Sequence, residues 1–190
     1  MAVLVFADSN NGRIVKSSFE AVSYGSKIAA DLGTTAIVVT YGSVSNEELE
    51  SLGNYGASKV LLANGLNEMS GQKLTKLVVS AVTDENADVI VFSHDFTGKS
   101  VAARVSARLG AGLVSGAIDY PNLDNGFVVR KAVFSGKAFA NVEISTSKKV
   151  ISLLPNSVSI NKGDSSAEVV SYNPDFGTSG VTIKIGRAHV

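Results

Sequence analysis

The clearest pattern in the chain is an alternation between short apolar runs and longer amphipathic segments. In residues 87–120, the aliphatic run 88–92 is followed by a polar turn and then by apolar residues at helical spacing. This change of period predicts a strand and then a helix, with Thr97 as the helix N-cap and Gly110 ending the helix. A second apolar run, 113–118, follows at once. The order predicts a βαβ unit with a right-handed crossover.

The N-terminal half repeats this alternation. Apolar runs at residues 2–7, 35–40 and 59–62 predict three more strands, and the first run is continuous, as in a strand covered on both faces. Amphipathic segments predict three further helices, which lie at residues 17–32, 45–52 (with Ser45 as the N-cap) and 72–82. Four strands alternating with four helices predict an α/β fold with a doubly wound, mostly parallel sheet. In such a sheet, ligand sites lie at the carboxyl ends of the strands.

Beyond Tyr120 the pattern changes to short runs separated by Ser, Gly and Lys. Runs at residues 127–134, 137–144 and 148–154 predict strands joined by hairpins, so we expect the sheet to end in an antiparallel extension. From Pro155 the sequence is polar, and its strand-like pieces, 167–172 and 181–185, are short. These residues predict an arm or linker that depends on a partner or another domain for its order.

Composition says little more about the fold, but it argues against several classes of function. Apolar residues make up 45% of the chain, and 17 basic residues balance 17 acidic ones. This balance argues against nucleic acid and anionic membranes as partners. The absence of cysteine excludes disulfides and thiolate metal sites. The first apolar run is far shorter than the ~20 residues of a membrane span, and no basic signal region accompanies it, so we expect a cytoplasmic location.

Two glycine motifs resemble phosphate-binding loops. The segment 97–100, Thr-Gly-Lys-Ser, opens a helix after a strand, but a P-loop needs a glycine at position 93, where this chain has serine. The Gly-Ala-Gly of residues 110–112, with Gly116, resembles a dinucleotide fingerprint, but it precedes a strand instead of following one. We therefore expect both motifs to have structural roles. Residues 97–100 would begin a capped helix with a solvated Lys99, and residues 110–112 would end a helix and allow the close entry of a strand.

Two further places carry candidate chemistry. His94 and Asp95 lie together at the carboxyl end of the predicted fourth strand, where a catalytic pair and hydrogen bonding within the turn are both possible interpretations. The loop 8–12 lies where a nucleotide-binding sheet of this type binds the adenosine group, although its Asn-Asn-Gly sequence also suits a tight turn. The pair 148–149, Lys-Lys, is interpreted as a solvated strand start. His189 lies in the C-terminal tail and is given no role.

Several of these motifs together resemble the N-terminal domain of the electron transfer flavoprotein alpha subunit. That family shows an Ala- and Arg-rich helix, then Leu-x-x-Gly-Leu-Val-Ser and later Gly-Lys-Ala. Here residues 108–115 read RLGAGLVS and residues 136–138 read GKA. The first strand, 3–7, and the ISLLPNS of residues 151–157 are also similar to the family. The resemblance covers nearly the whole chain.

The resemblance implies an adenine nucleotide alpha hydrolase-like fold, with residues 1–160 as the alpha N-terminal domain. Residues 161–185 are expected to lead towards a missing C-terminal FAD domain, because the family's glycine-rich FAD loop does not occur in these 190 residues. Residues 186–190 resemble translated sequencing adapter, so a truncated reading frame is expected. The fragment itself is expected to bind no cofactor, to hold no metal and to contain no catalytic residue.

The resemblance also implies a function for the complete protein. It would pair with a beta subunit that holds AMP and carry electrons on FAD from flavin dehydrogenases, such as the acyl-CoA dehydrogenases of fatty acid β-oxidation, to a quinone oxidoreductase. The present chain is then a scaffold and subunit-interface domain of an electron carrier, not an enzyme. Apolar hairpin faces around Val128, Val133, Phe134 and Phe139 exceed what four helices can cover, so we expect the partner there.

The alternative is an independent adenine-nucleotide-binding module of the universal-stress type. It would use the loop 8–12 and the turn 93–98. Modules of that type carry a glycine-rich phosphate loop late in the sheet, and this sequence has none. Binding of ATP or AMP by the chain alone would favour the module, and the absence of binding would favour the scaffold.

Overall fold

The computed structural model describes residues 2–66 and 70–177 of the chain. Strands and helices alternate along the first two thirds, and strands follow without helices after that. In chain order the elements are β1 (Ala2–Phe6), β2 (Ser9–Asn10), β3 (Arg13–Ile14), α1 (Lys16–Asp31), β4 (Ala36–Tyr41), α2 (Asn46–Glu50), a 3₁₀ helix (Ser51–Tyr55), β5 (Ala57–Ala63), α3 (Gly71–Asp84), β6 (Ala87–Ser93), α4 (Phe96–Leu109), β7 (Gly112–Ala117), β8 (Val128–Val133), β9 (Ala138–Glu143), β10 (Lys149–Leu153) and β11 (Glu168–Ser171).

Nine of these strands form one sheet in the order β11-β5-β4-β1-β6-β10-β7-β8-β9. The seven strands from β11 to β7 are parallel, whereas β8 and β9 are antiparallel to their neighbours. The chain moves outward from β1 to β4 and β5, and then returns to the other side of β1 to form β6. This reversal is the switch point of a doubly wound sheet. The predicted α/β fold with a mostly parallel sheet is confirmed.

Helices cover both faces of the sheet because its central strands carry apolar side chains on both sides. Strands β1 and β4 are buried over their whole length, which is typical of parallel strands. Helix α1 packs closely on one face, where a Cβ at Gly25 would overlap the Val5 side chain. Helices α3 and α4 pack side by side on the other face, where Leu74, Leu77 and Val101 are buried.

The helix boundaries agree with the sequence pattern, with one correction. Ser45 caps α2 as predicted, because its Oγ accepts a hydrogen bond from the Glu48 N–H at 3.3 Å. The prediction of Thr97 as the N-cap of α4 is wrong. The helix begins earlier, and the Asp95 carboxylate accepts from the Gly98 N–H at 2.8 Å. Gly110 ends this helix in the left-handed conformation, as predicted.

The hairpin β8-β9 forms the predicted antiparallel extension, with Val128 opposite Glu143. The third strand predicted for this extension, at residues 148–154, does not pair with the hairpin, so this part of the prediction is wrong. This strand, β10, lies between β6 and β7 and runs parallel to both, so the two strands of the predicted βαβ unit are not neighbours. Burial explains the position. β9 alternates between half-buried and exposed residues, whereas β10 is buried from Val150 to Leu153 and needs cover on both faces.

After β10 the chain passes over α1 to the far edge of the sheet. We call residues 155–167 the strap. The sequence predicted an arm or linker at residues 161–185, but β11 pairs with β5 in parallel register and Ala167 is buried. The described part of this segment therefore packs on the same sheet as the rest of the chain. The strand-like piece 181–185 and residues 186–190, with His189, lie outside the described residues.

Candidate functional site

The switch point between β1 and β6 places a crevice at the carboxyl edge of the sheet, where doubly wound sheets bind ligands. Asp8 follows β1, Tyr41 ends β4 and Asp95 follows β6, so three neighbouring strands bring polar groups to one edge. We call the cavity there the carboxyl-edge crevice. It has a volume of about 270 Å³ and is lined by Asp8, Asn10, Val15, Asp95, Phe96 and Thr97.

One of the two carboxylates in the crevice, Asp8, is buried. Its Oδ1 accepts a hydrogen bond from the Tyr41 hydroxyl at 2.6 Å. Burial raises the pKa of Asp8 above its usual value, while hydrogen bonds from Tyr41 and Thr97 act in the opposite direction. Burial and the bond to Asp8 also raise the pKa of Tyr41, so the phenol keeps its proton and remains the donor. This bond joins the ends of β1 and β4.

The second carboxylate, Asp95, holds α4 in place. One of its oxygens caps the helix at Gly98, and the other accepts from the Ser17 hydroxyl at 2.9 Å, which ties α1 to α4. A Cβ at Gly98 would overlap the Ser93 carbonyl oxygen, so the close approach of β6 and α4 requires this glycine. Because the Gly98 N–H already bonds to Asp95, it is not available to a phosphate. The segment 97–100 is a capped helix start, not a P-loop.

The two carboxylates make the crevice a poor site for a phosphate group. Oxyanions bind where backbone N–H groups and cations converge, whereas Asp8 and Asp95 line the same cavity here. A nucleotide in this position would place its phosphates against negative charge. The described residues of the crevice therefore do not fit the pyrophosphate of FAD or the phosphate of AMP.

The loop 8–12 is a tight hairpin. Strands β2 and β3 pair on either side of Asn11 and Gly12, whose φ angles are 51° and 74°. An Asn-Gly sequence suits a two-residue turn with positive φ. The hairpin forms one wall of a second cavity, of about 280 Å³, whose lining residues are all neutral. The structure thus gives the Asn-Asn-Gly sequence the turn role that its pattern allowed.

His94 and Asp95 do not bond to each other in the structure. The His94 Nδ1 lies 2.9 Å from the Ser152 Oγ and 3.5 Å from the Ser115 Oγ, on strands β10 and β7. The Ser152 Oγ also accepts a hydrogen bond from the Gly116 N–H at 3.3 Å. A hydroxyl oxygen can accept two hydrogen bonds, so Nδ1 of a neutral imidazole can either accept from the Ser152 hydroxyl or donate to it, according to the tautomer.

The surroundings of His94 favour this neutral ring. Burial, and then the charges of Lys99 and Lys131, lower the pKa of His94 below its usual value. Ser152 is only 1% exposed, so a substrate cannot reach its hydroxyl as a nucleophile. The His94 cluster therefore joins the ends of β6, β10 and β7 by hydrogen bonds and does not form a hydrolytic pair with Ser152.

The remaining sequence candidates have structural roles. A Cβ at Gly112 would crowd the side chains that follow β9, in agreement with a close strand entry. The predicted strand start at residues 148–149 is confirmed, since β10 begins at Lys149, but the prediction that its lysines are simply solvated is wrong. The Lys148 ammonium donates to the Ala87 carbonyl at 2.6 Å and pairs with Asp88 at 3.1 Å, which ties β10 to β6. Lys149 donates to the backbone carbonyls just before it.

Sequence reasoning missed the partners of these polar groups. Tyr41 is a polar residue at the end of an apolar run, at the same sheet edge as Asp8, and this shared position was the available signal. Ser17 and Ser152 gave no such signal. They lie 78 and 58 positions from Asp95 and His94 in the chain.

Two general features of the described residues bear on the candidate chemistry. Within residues 2–66 and 70–177, no group of three or more His, Asp or Glu side chains is arranged to hold a metal ion. In the same residues, no helix combines the length and apolarity needed to cross a membrane.

The hairpin β8-β9 presents a second candidate surface, which we call the hairpin surface. Phe134 and Phe139 are 80% and 57% exposed, while Val128 and Val133 are half-buried. The Arg130 guanidinium carbon lies 4.4 Å from the centre of the Phe139 ring. Phe134 has a φ of 50°, which is uncommon for an aromatic residue. Exposed aromatic side chains beside a stacked arginine are typical of protein interfaces.

Comparison with known proteins places this fold in a family context. The family model described as "Electron transfer flavoprotein domain" matches residues 3–176. The electron transfer flavoprotein subunit alpha of Bacillus subtilis (strain 168) is 29% identical over 167 residues, which are 86% of this chain and 50% of that protein. The acryloyl-CoA reductase electron transfer subunit beta of Anaerotignum propionicum is 28% identical over 115 residues, 60% of this chain and 31% of that protein. The chain spans about half the length, or less, of these curated relatives.

Two solved structures also align with part of the chain. A universal stress protein from Archaeoglobus fulgidus aligns with 57% of this chain and 87% of its own, at 18% identity and a TM-score of 0.43. A universal stress protein in complex with cAMP aligns with 55% of this chain and 88% of its own, at 20% identity and a TM-score of 0.38.

Proposed function

The chain belongs to the electron transfer flavoprotein domain family, and from this membership we propose that it is the scaffold and subunit-interface domain of an electron transfer flavoprotein alpha subunit. The observation that carries the proposal is the family match over residues 3–176, since it includes both edges of the sheet. Relatives named as alpha subunits align with the same region. In this proposal the complete protein carries electrons and is not itself an enzyme.

The redox chemistry would come from FAD bound outside the described residues. The carboxyl-edge crevice presents Asp8 and Asp95 where a dinucleotide needs hydrogen-bond donors for its pyrophosphate. The chain spans about half the length of its first relatives, and residues 161–185 would lead to the domain that holds FAD. AMP would belong to the beta subunit. The present chain contributes the rigid support on which that second domain rests.

The beta subunit would contact the hairpin surface. The aromatic rings of Phe134 and Phe139 are exposed to solvent, and the planar guanidinium group of Arg130 stacks on the Phe139 ring. These residue types dominate the binding energy of protein interfaces when a partner buries them. Strand β9 is also an edge of the sheet, with every second residue exposed. A partner at this edge would cover the aromatic rings that the helices of the domain leave uncovered.

The electron donors and acceptor follow from the same proposal. Flavin dehydrogenases such as acyl-CoA dehydrogenases would reduce FAD, and a quinone oxidoreductase would accept the electrons. One relative is named as an electron transfer subunit of acryloyl-CoA reductase, which supports an enzyme of CoA esters as the redox partner. A cytoplasmic location is part of this proposal.

The experiment that tests the proposal is co-expression with the neighbouring beta-subunit gene. The reading frame is first recovered across residue 185, and the visible absorption spectrum of the purified complex is then recorded. We expect a flavin spectrum and release of FAD on denaturation, with the alpha subunit expressed alone as the control. A colourless complex, or a chain that does not co-purify with the beta subunit, would contradict the electron-carrier role.

The nucleotide-binding alternative is tested on the chain by itself. Because Asp8 and Asp95 line the crevice, we expect isothermal titration with ATP or AMP to give no heat of specific binding there. Saturable nucleotide binding that is lost when the crevice is altered would instead favour the module of the universal-stress type.

A further inference from the structure

A groove between α3 and α4 gathers positive charge on the face of the sheet opposite α1. It has a volume of about 220 Å³ and is lined by Gln72, Thr75, Lys76, Arg104 and Arg108. Lys76 comes from α3, while Arg104 and Arg108 lie one turn apart on α4. We call this the cationic groove. It is separate from both the carboxyl-edge crevice and the hairpin surface.

The three cations of the groove have no acidic partner in the part of the chain that the structure describes. Among the described residues, no carboxylate lies within 4 Å of the cationic nitrogens of Lys76, Arg104 or Arg108. Ion pairs do form elsewhere, between Lys27 and Asp31, Lys59 and Glu85, and Lys148 and Asp88. Like charges one turn apart on a helix repel each other and destabilise it. Within the described residues, no acidic side chain forms an ion pair with any of these three cations.

The remaining features of the groove suit a small oxyanion. Thr75 is 4% exposed, and its hydroxyl donates to the Gly71 carbonyl at 2.6 Å, so this part of the lining is held in place. Each guanidinium presents a planar set of donors that matches two oxygens of one anion. The volume of 220 Å³ lies below the roughly 300–1,000 Å³ of pockets for drug-sized ligands. The space suits a single multiply charged group.

We propose that the cationic groove binds a phosphate group, with Arg104 and Arg108 on one side and Lys76 on the other. The group is either a free phosphate ion or the phosphate end of a monoester whose remainder lies in solvent. This proposal rests on the groove alone and is independent of the electron-carrier function. The anion offsets the repulsion between the three cations and links α3 to α4 at the surface.

The test is a titration of the purified protein at constant ionic strength, followed by isothermal calorimetry and by thermal unfolding. Inorganic phosphate and glycerol 3-phosphate are the probes, and chloride is the reference ion. We expect saturable binding of phosphate and a rise in melting temperature that chloride does not produce. Binding of both probes would show that the remainder of a monoester stays in solvent, whereas binding of phosphate alone would assign the site to the free ion.

Matched variants decide whether the groove is responsible. The double variant Arg104→Gln/Arg108→Gln should weaken phosphate binding at least tenfold. The control Arg13→Gln/Lys162→Gln removes the same two charges at exposed positions on the β2-β3 hairpin and the strap, and it should bind like the wild type. A phosphate effect equal to that of chloride, one that survives in the groove variant, or one that the control loses equally would overturn the proposal.

Discussion

The two edges of the sheet are built in opposite ways. At the β11 edge, the strap lies over α1 and bonds to it, so the protein covers this side with its own chain. At the β9 edge, the hairpin extends beyond the helices and leaves Phe134 and Phe139 in water. The difference is that internal hydrogen bonds hold the chain beside one edge, whereas large aromatic side chains stay exposed at the other. It shows where each kind of substitution should act.

The strap is held by hydrogen bonds to its backbone. The Glu20 carboxylate of α1 accepts from three successive N–H groups, those of Asn156, Ser157 and Val158, at 2.8, 2.9 and 3.1 Å. One turn further along α1, the Ser23 Oγ accepts from the Asn161 N–H at 3.2 Å. Backbone groups that leave water need such partners. The strap therefore depends on a few polar side chains of α1.

Among the described residues, no side chain of a helix holds the hairpin by hydrogen bonds to its backbone as Glu20 holds the strap. The outward face of the hairpin carries Arg130, Phe139 and Asn141, while its inward face contributes Val129 and Val142 to the core. An edge strand has unpaired backbone groups, and with exposed aromatic residues it can bind another chain. Substitutions on the outward face should affect association much more than folding.

The largest effect is expected at Glu20, which is 5% exposed. In Glu20→Gln one oxygen remains as an acceptor, but the NH2 group opposes at least one N–H of the strap and the negative charge is lost, so stability should fall by about 2–3 kcal/mol. That corresponds to a melting temperature lower by roughly 4–12 °C in a chain of this size. Thermal unfolding measures the loss, and tryptic cleavage after the exposed Lys162 reports release of the strap.

Glu47→Gln is the matched control for Glu20. Glu47 is exposed on α2, and no hydrogen bond of its side chain occurs among the described residues. The stability of the Glu47→Gln variant and its rate of tryptic cleavage should stay at the wild-type values. Equal behaviour of the Glu20 and Glu47 variants would mean that the strap does not depend on the carboxylate of α1.

A second substitution acts on the other end of the strap. A Cβ at Gly53 of the 3₁₀ helix would overlap the backbone of residues 165–167, next to the 3.0 Å bond from the Ala167 N–H to the Glu50 carbonyl. Gly53→Ala should therefore cost about 1–3 kcal/mol and speed tryptic cleavage after Lys162, because the strap is released more often. Gly65→Ala is the control, since nothing lies within 4 Å of its added Cβ. Equal unfolding midpoints for the two variants would refute the close contact.

At the hairpin edge the expected effect is on association. Phe134→Asn removes the exposed ring and places at φ 50° a residue that tolerates this backbone better. The free energy of unfolding should change by less than about 0.5 kcal/mol, while affinity for the beta subunit should fall at least about tenfold. Phe96→Asn is the control, because Phe96 is also exposed but lies at the carboxyl edge. Unchanged affinity of the Phe134 variant, measured by calorimetry, would remove the hairpin from the interface.

The smallest effect concerns Asp8, which follows the inner strand β1 and lies away from both edge strands, β9 and β11. Burial raises the pKa of Asp8, so the folded state holds this proton more tightly than the unfolded state does. The resulting stability is complete below the usual pKa of Asp, about 4, and is lost as the pH rises through the raised value. Asn cannot ionise, so Asp8→Asn should gain stability relative to wild type as the pH rises.

The difference between the Asp8→Asn variant and the wild type should stay below ~1 kcal/mol, the scale of one hydrogen bond. Melting curves from about pH 4 to pH 7 test it. A variant that is less stable than wild type by the same amount at every pH would show that Tyr41 needs a charged acceptor.

The candidate site was only half visible in the sequence. Asp8, His94 and Asp95 could be named because each follows an apolar run, and the carboxyl ends of parallel strands share one edge. Their roles were not visible. The choice between Thr97 and Asp95 as N-cap depends on how closely α4 approaches β6, and a local pattern contains no such distance.

By itself, the sequence determined which segments become strands and helices, because the period of apolar residues reports burial locally. It also determined the family, through motifs that occur in order along the chain. Only the tertiary structure decided that β10 lies between β6 and β7, and that β11 forms the far edge of the sheet. The physical reason is distance along the chain. The bonds that hold the strap to α1 join residues up to 138 positions apart, and such pairs meet only once the order of the strands is set.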